Sequence, residues 1–311
     1  VSSASDHAKG ANGASLQDGR APSRDERVGP APVVELRAVS KRFTDGEGRE
    51  RTALAPVELR VARGEFVCLV GPSGCGKSTI LNLVAGLERP SEGTVRARGS
   101  DVTGPGPDRT VMFQESALFP WLTVQENVRF PLEIAGVPAR EAAERVERYL
   151  RMVHLWRFRD GRPHELSGGM RQRAALARAL VVEPEILLMD EPFAALDAQT
   201  AELLRAELES IWARTGKTVL FVTHNVREAV RLADRVVILG TRPGCVKRVV
   251  PITLARPRDE ADADVSALTS LVRAELEAEV AKVLREEVDD EWNPAQIAVR
   301  PGDDHGVGGG I

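Results

Sequence analysis

The stretch Gly71-Pro72-Ser73-Gly74-Cys75-Gly76-Lys77-Ser78-Thr79 constrains this chain most, because of what flanks it. Phe66-Val67-Cys68-Leu69-Val70 before it is a short apolar run rich in strand formers, and Ile80-Leu81-Asn82-Leu83-Val84-Ala85 after it is apolar at helical spacing and ends at Gly86. Strand, glycine loop and helix in that order predict a phosphate-binding loop. The glycines let backbone N–H groups turn onto phosphate oxygens, and the new helix directs its positive end at them. Lys77 then supplies a point charge for the β and γ phosphates, and the Ser78 hydroxyl is placed to ligate Mg²⁺.

At 311 residues the chain is long enough for one large domain or two ordinary ones. A net charge of −4 argues against a general nucleic-acid binder, whose footprint is basic. Cys68, Cys75 and Cys245 suggest no disulfide framework and fit a reducing compartment. No apolar stretch approaches the roughly 18 residues that span a bilayer, and the N-terminus lacks the apolar core of a secretory signal. The chain is therefore expected in the cytosol, with any membrane role exercised through a partner.

Residues 1–32 are rich in Ala, Gly, Ser, Asp, Arg and Pro without apolar periodicity, and are expected to be disordered. Strand patterns run over Val33–Val39 and Val57–Val61, with Phe43 between them as either core or a base-stacking aromatic. Thr94–Gly99 alternates as an exposed strand, Gly104–Asp108 is a loop, and Thr110–Phe113 is a short strand that delivers Gln114 at its end. Leu118-Phe119-Pro120-Trp121-Leu122 is oddly apolar for a proline-broken segment; Trp121 is expected to be exposed, and Leu118 and Leu122 either core or surface. Thr123–Ala135 and Ala139–Val153 read as helices, with Val146, Leu150 and Val153 on a core face.

In Leu166-Ser167-Gly168-Gly169-Met170, Ser167 predicts an N-cap. Two glycines at the start of the following helix are costly, which suggests a close approach to the backbone. That helix end either faces the nucleotide of a second copy or is simply a capped helix with a tight entry. Ile186–Met189 is a buried-strand pattern ending in Asp190-Glu191, carboxylates at the edge where α/β sheets bind ligands. Alternation along a strand assigns them different tasks, Asp190 holding Mg²⁺ through water and Glu191 polarising the attacking water. Asp197 is a cap for a helix over about Gln199–Arg214. Thr218–Thr223 is a strand that brings His224 to the same edge, Val226–Ala233 a helix, and Arg235–Leu239 the last core strand. Val265, Leu268, Val272, Leu276, Val280, Val283 and Val288 form a helical stripe on an acidic segment, docked on the domain or on a second subunit. Residues 293–311 are expected to be disordered.

With these residues assembled, the sequence resembles an ATP-binding-cassette (ABC) ATPase over about residues 33–255. Gly71–Thr79 (Gly71, Pro72, Ser73, Gly74, Cys75, Gly76, Lys77, Ser78 and Thr79) corresponds to the Walker A loop, Gln114 to the Q-loop, and Leu166–Met170 to the signature. Ile186–Glu191 corresponds to Walker B, Ala195-Leu196-Asp197 to the D-loop, His224 to the switch histidine and Phe43 to the adenine-stacking aromatic. The resemblance implies an α/β P-loop NTPase core with an antiparallel β subdomain and an inserted helical subdomain at about 120–182, followed by a C-terminal amphipathic helix and tail over 256–311. It implies ATP and Mg²⁺ as cofactors, with Ser78, Gln114 and Asp190 near the metal and Lys77, Glu191 and His224 at the reacting phosphate. It also implies a second copy of the chain closing over the nucleotide, so that Ser167, Gly168, Gly169 and Asp197 reach the partner's site.

Pro105–Arg109, Ala117–Val124 and Thr241-Arg242-Pro243-Gly244 are similar to the ATPase subunits of nitrate/sulfonate/taurine-type importers. Departures are His154, where a glycine is common, the charged Arg159-Asp160-Gly161-Arg162, and the extra residues 1–32. The expected function is to energise uptake of a small anionic solute through a separate membrane permease, indirectly served by a solute-binding protein. The location implied is the cytoplasmic face of the membrane. A regulatory ABC ATPase of cell-envelope division is the alternative. The chromosome-type class is disfavoured because only about fifty residues separate Gln114 from Ser167, too few for long coiled-coil arms, and a GTPase is disfavoured because no guanine-reading Asn-Lys-x-Asp segment appears.

Overall fold

The computed structural model describes residues 32–259 and 261–291. The expected disorder of 1–32 and 293–311 lies outside these residues, apart from Pro32, which opens the first strand. Strands β1 (Pro32–Thr44) and β2 (Glu50–Ala62) pair antiparallel and join β4 (Glu92–Ala97) and β5 (Ser100–Asp101) in a four-stranded sheet of order β2-β1-β4-β5. A six-stranded sheet is built from β3 (Phe66–Val70), β6 (Arg109–Met112), β7 (Ile186–Asp190), β8 (Thr218–Val222), β9 (Arg235–Gly240) and β10 (Cys245–Pro251). Its order is β10-β9-β3-β8-β7-β6, parallel throughout except for β10, which runs antiparallel to β9.

The central strands are apolar at every position because both faces of the parallel sheet are covered. Along β3, Val67 and Leu69 point into one core, shared with the antiparallel sheet and with α1 (Lys77–Ala85). Phe66, Cys68 and Val70 point into the other, shared with helices on the opposite face. These are α2 (Val124–Ile134), α3 (Ala139–Met152), α4 (Gly168–Leu180), α5 (Ala198–Thr215) and α6 (Val226–Leu232). Helices α2, α3 and α4 pack on one another, and the expected stripe Val146, Leu150 and Val153 is buried among them. Helix α2 begins where Thr123 and Glu126 form a reciprocal capping box, the side-chain exchange that a Thr-x-x-Glu sequence allows.

Arg235–Leu239, the expected last core strand, lies within β9, and a further strand that the sequence did not reveal follows it. This strand, β10, is an edge strand whose Lys247 and Arg248 pair with Glu279 and Glu275 of the C-terminal helix and whose last residue is Pro251, so it lacks the period that reveals a half-buried strand.

The C-terminal helix α7 (Ala263–Glu291) packs on α6 and β9 through Val265 and Val272, with Leu268 and Leu276 beside them. Val280 of the expected stripe is exposed, and Val283 and Val288 lie outside the described side chains. Between β10 and α7, Arg258 is buried with its guanidinium spread over backbone carbonyls. Nη1 donates to Val230 O, Arg231 O and Ala233 O at 2.9, 3.0 and 2.6 Å, and Nη2 to Ile252 O and Leu254 O at 3.2 and 3.0 Å. These are the orphan carbonyls at the end of α6 and of the segment that leaves β10. Replacing Arg258 by Met keeps the aliphatic bulk but strands those acceptors away from water. The expected result is a loss of about 3 kcal/mol or more in urea unfolding, since unpaired buried acceptors each cost about 1–3 kcal/mol. A change below about 0.5 kcal/mol, the range of ordinary surface substitutions, would contradict it.

Candidate active site

The parallel strands deliver the chemistry to one edge. Register pairs Leu69 of β3 with Val222 of β8, Val222 with Asp190 of β7, and Met189 with Met112 of β6. The residues just beyond those positions therefore come out together: Gly71, His224, Glu191 and Gln114.

After β3 the chain turns through Gly71–Gly76 into α1. Gly76 is left-handed at φ 90°, and a Cβ there would lie 2.3 Å from Leu54 Cδ2, so only glycine fits between the loop and β2. Lys77 is buried, 8% exposed, and its Nζ donates to Gly71 O at 2.9 Å and Pro72 O at 3.0 Å, which folds the ammonium back across the loop. The Ser78 hydroxyl lies close enough to the Asp190 carboxylate to pull its pKa down. Burial holds the Asp190 carboxyl above its ordinary range against the pull of Ser78, with Glu191 adding to the rise and Lys77 opposing it.

Glu191 is one residue past the end of β7, at φ 46°, with its N–H donated to Val222 O of β8 at 2.9 Å. This corrects the alternation argument: the two carboxylates diverge because the chain breaks into the left-handed region after Asp190. Glu191 Oε2 lies 2.8 Å from His224 Nδ1, which donates to it when the proton is on that nitrogen. Phe43 sits within β1, one residue before its end, and is 41% exposed, at the mouth of a cleft of about 650 Å³ lined also by Arg51, Gly74, Arg242 and Gly244. One face of its ring carries Lys41 Nζ at 4.7 Å from the centroid.

The signature residues stand apart from that edge. Ser167 caps α4, its Oγ accepting from Met170 N at 3.3 Å, and its carbonyl accepts from Arg171 N. A Cβ on Gly169 would lie 2.4 Å from Thr200 Cγ2, so the close approach inferred from the glycine pair is made, at this position, by α5 of the same chain. Asp197 caps α5 through Thr200 N at 2.9 Å, and that backbone bond, with the Thr200 hydroxyl, holds its carboxyl below the usual range.

Sequence reasoning missed Gln172. It is buried on α4, and its Nε2 donates to Gln114 O at 3.1 Å and to Pro192 O, which ties the signature helix to the segments after β6 and β7. The available signal was a polar residue one helical turn from Gly168 and Gly169 on the face that continues with Leu176.

The residues fit ATP and Mg²⁺. A hydroxyl and a carboxylate are hard oxygen donors, and Mg²⁺ takes one or two such protein ligands with phosphate and water completing its shell. Among the described residues no group of three or more His, Cys, Asp or Glu converges.

Residues 54–194 match the family model described as ABC transporter. The chain is 49% identical over 227 residues to the nitrate import ATP-binding protein of Synechocystis sp., covering 73% of this chain and 84% of that protein. It is 44% identical to the aliphatic sulfonates import ATP-binding protein of Bacillus subtilis, covering 79% and 94% respectively. It is also similar to a dimeric ATP-binding cassette solved in a post-hydrolysis state with ADP and Pi, at TM-score 0.64 and 36% identity, covering 71% of this chain and all of that one.

The chain belongs to the ABC transporter family. As an ABC ATPase it hydrolyses ATP, and its α/β fold is that of the family's cassettes.

Asp190 carries a stability cost in the nucleotide-free cassette. A native pKa above the unfolded value means that the native state holds more protons across that interval, so stability falls as pH rises through it and stays reduced above it. Asp190→Asn is therefore expected to raise the melting temperature of the nucleotide-free protein at neutral pH while abolishing Mg²⁺-dependent hydrolysis. A lowered melting temperature would contradict the assignment of burial as the dominant influence on this carboxyl.

Proposed function

We propose that this ABC ATPase energises the import of a small anionic solute, of the nitrate/sulfonate/taurine type, through a separate membrane permease. Two copies act together: Phe43, the Gly71–Thr79 loop and Gln114 of one chain bind ATP, and Ser167, Gly168, Gly169 and Asp197 of the other close over it. Ser78 and Asp190, with Gln114, would hold Mg²⁺, which would supply charge neutralisation to the nucleotide's phosphates.

Within the chain, Lys77 leaves its loop carbonyls for phosphate oxygens. Glu191 aligns the attacking water, and His224 holds Glu191 from Nδ1 while its exposed ring reaches the γ-phosphate side. The chemistry is positioning and electrostatic stabilisation. The relatives named for nitrate and sulfonate import support the importer reading over a role in envelope division.

The observation that carries the coupling half of this reading is the surface beside Gln114. Trp121 is 69% exposed and stacks on Phe119, ring centroids 5.6 Å apart; Phe119 in turn meets Phe130 of α2 at 4.7 Å. Phe119 and Phe130, with Phe113, Ile134, Val137 and Val182, line an apolar groove of about 740 Å³. Leu118 packs on the core and Leu122 is half-buried, so Trp121 is the exposed member of the cluster. Among the described residues no helix is long and apolar enough to cross a membrane. A permease helix docked in the groove, anchored by Trp121, would move with Gln114.

Truncating such an anchor costs about 2 kcal/mol or more, roughly thirtyfold in affinity. Trp121→Ala is expected to weaken copurification with the membrane subunit by that factor and leave ATP hydrolysis by the isolated chain unchanged. Loss of hydrolysis before loss of the membrane subunit would place Trp121 in the core and the docking surface elsewhere.

A further inference from the structure

We infer that Glu228 is a positioning residue for His224, and that it links the histidine to α5. The inference rests on the reading of His224 given above. Glu228 lies on the first turn of α6, is 4% exposed, and touches neither Glu191 nor the phosphate loop. A buried carboxylate is costly unless its oxygens are paired, and both of these are. Oε2 accepts from the hydroxyl of Thr223, itself buried, and Oε1 accepts from Arg205 Nε of α5 at 2.8 Å.

Those two bonds bracket the corner that carries the imidazole. Thr223 Oγ1 donates to Glu228 and accepts from Asn225 N at 3.0 Å. Asn225 Oδ1 accepts from Arg227 N and Glu228 N at 3.0 and 3.3 Å. The residues on both sides of His224 are thus fixed to one carboxylate and to the helix end that bears it. His224 itself is exposed, and among its described polar contacts its ring is placed by Glu191 alone. The backbone corner from which the imidazole projects is therefore held from behind, by Thr223 and Asn225.

Arg205 extends the bracket to α5. That helix is capped by Asp197 and packs its first turn on Gly169 of α4. A displacement of α5 is transmitted to His224 through a charge-assisted bond buried on both sides, the Arg205 and Glu228 side chains being 14% and 5% exposed. Removing the negative charge from Glu228 leaves one oxygen for two donors and an amide group beside a guanidinium. The corner loosens while the phosphate loop is untouched.

The test compares ATP hydrolysis by wild type, His224→Ala, Glu228→Gln, Glu228→Asp, Thr223→Val and the His224→Ala/Glu228→Gln double variant. Glu228→Gln is expected to lower kcat about tenfold or more, a misplacement effect, with KM for ATP within about twofold. Thr223→Val, nearly isosteric, is expected to reproduce the loss even if Glu228→Gln folds poorly, and Glu228→Asp to recover part of it. In the His224→Ala background Glu228→Gln should add less than about twofold, because residues that act through one another are not additive. Independent, multiplying losses in the double variant, or wild-type kcat in both Glu228→Gln and Thr223→Val, would overturn the inference alone. Wild-type turnover in His224→Ala would overturn the histidine's role and the inference with it.

Discussion

Everything at this site depends on the parallel ladder of β9, β3, β8, β7 and β6. Parallel pairing makes successive strands finish at one edge, and the register fixes how far each protrudes. Leu69 and Asp190 flank Val222 in one row across three strands, so the residues that follow them share one small volume. Both faces of the sheet are buried, so a slip of register would have to repack two cores at once. A rigid frame of this kind lets short polar segments hold geometry that they could not hold alone.

The edge itself is kept under tension. Asp190 is buried enough to resist ionisation, Glu191 occupies a left-handed conformation that costs of order 1 kcal/mol or more, and Lys77 is folded onto its own loop. The first and the last of these are relieved by a ligand of the right charge. A cation beside Asp190 removes the penalty on its ionised form, and phosphate oxygens are better partners for Lys77 than two carbonyls. The support comes from outside the edge: Gly244 exchanges backbone hydrogen bonds with Ala53 and Ala55 next to the loop, Gln172 binds the carbonyls of Gln114 and Pro192, and Glu228 holds the corner of His224.

Much of this frame was legible in the sequence, because continuous apolar runs bounded by Gly, Asp-Glu or Thr-His have few other solutions. The glycine loop, the Ser167 and Asp197 caps and the core face of α3 followed from local rules of helix and turn. What escaped was non-local. Strand β10 is an edge strand with charged residues where alternation would need apolar ones, so only its partner β9 defines it. Arg258 reads as one more surface charge until α6 and the end of β10 are brought around it. Gln172 and Glu228 are polar residues on buried helix faces, a pattern visible in the sequence whose partners are not. Gly169 was read correctly as a close approach, but Thr200 makes it within the chain.

The edge assembled in one chain carries the phosphate loop, the carboxylates and the histidine, whereas the hydrogen bonds of Ser167 go to Met170 N and Arg171 N in the first turn of its own helix. The central claim is that a second copy brings that helix end to the nucleotide. The most direct test mixes Ser167→Arg chains with Lys77→Ala chains and measures ATP hydrolysis. A shared site leaves one intact pairing in each mixed dimer, Lys77 of the first chain with Ser167 of the second, so hydrolysis should appear on mixing that neither variant shows alone. A site built within a single chain leaves none, and activity no higher than that of either variant by itself would contradict the account.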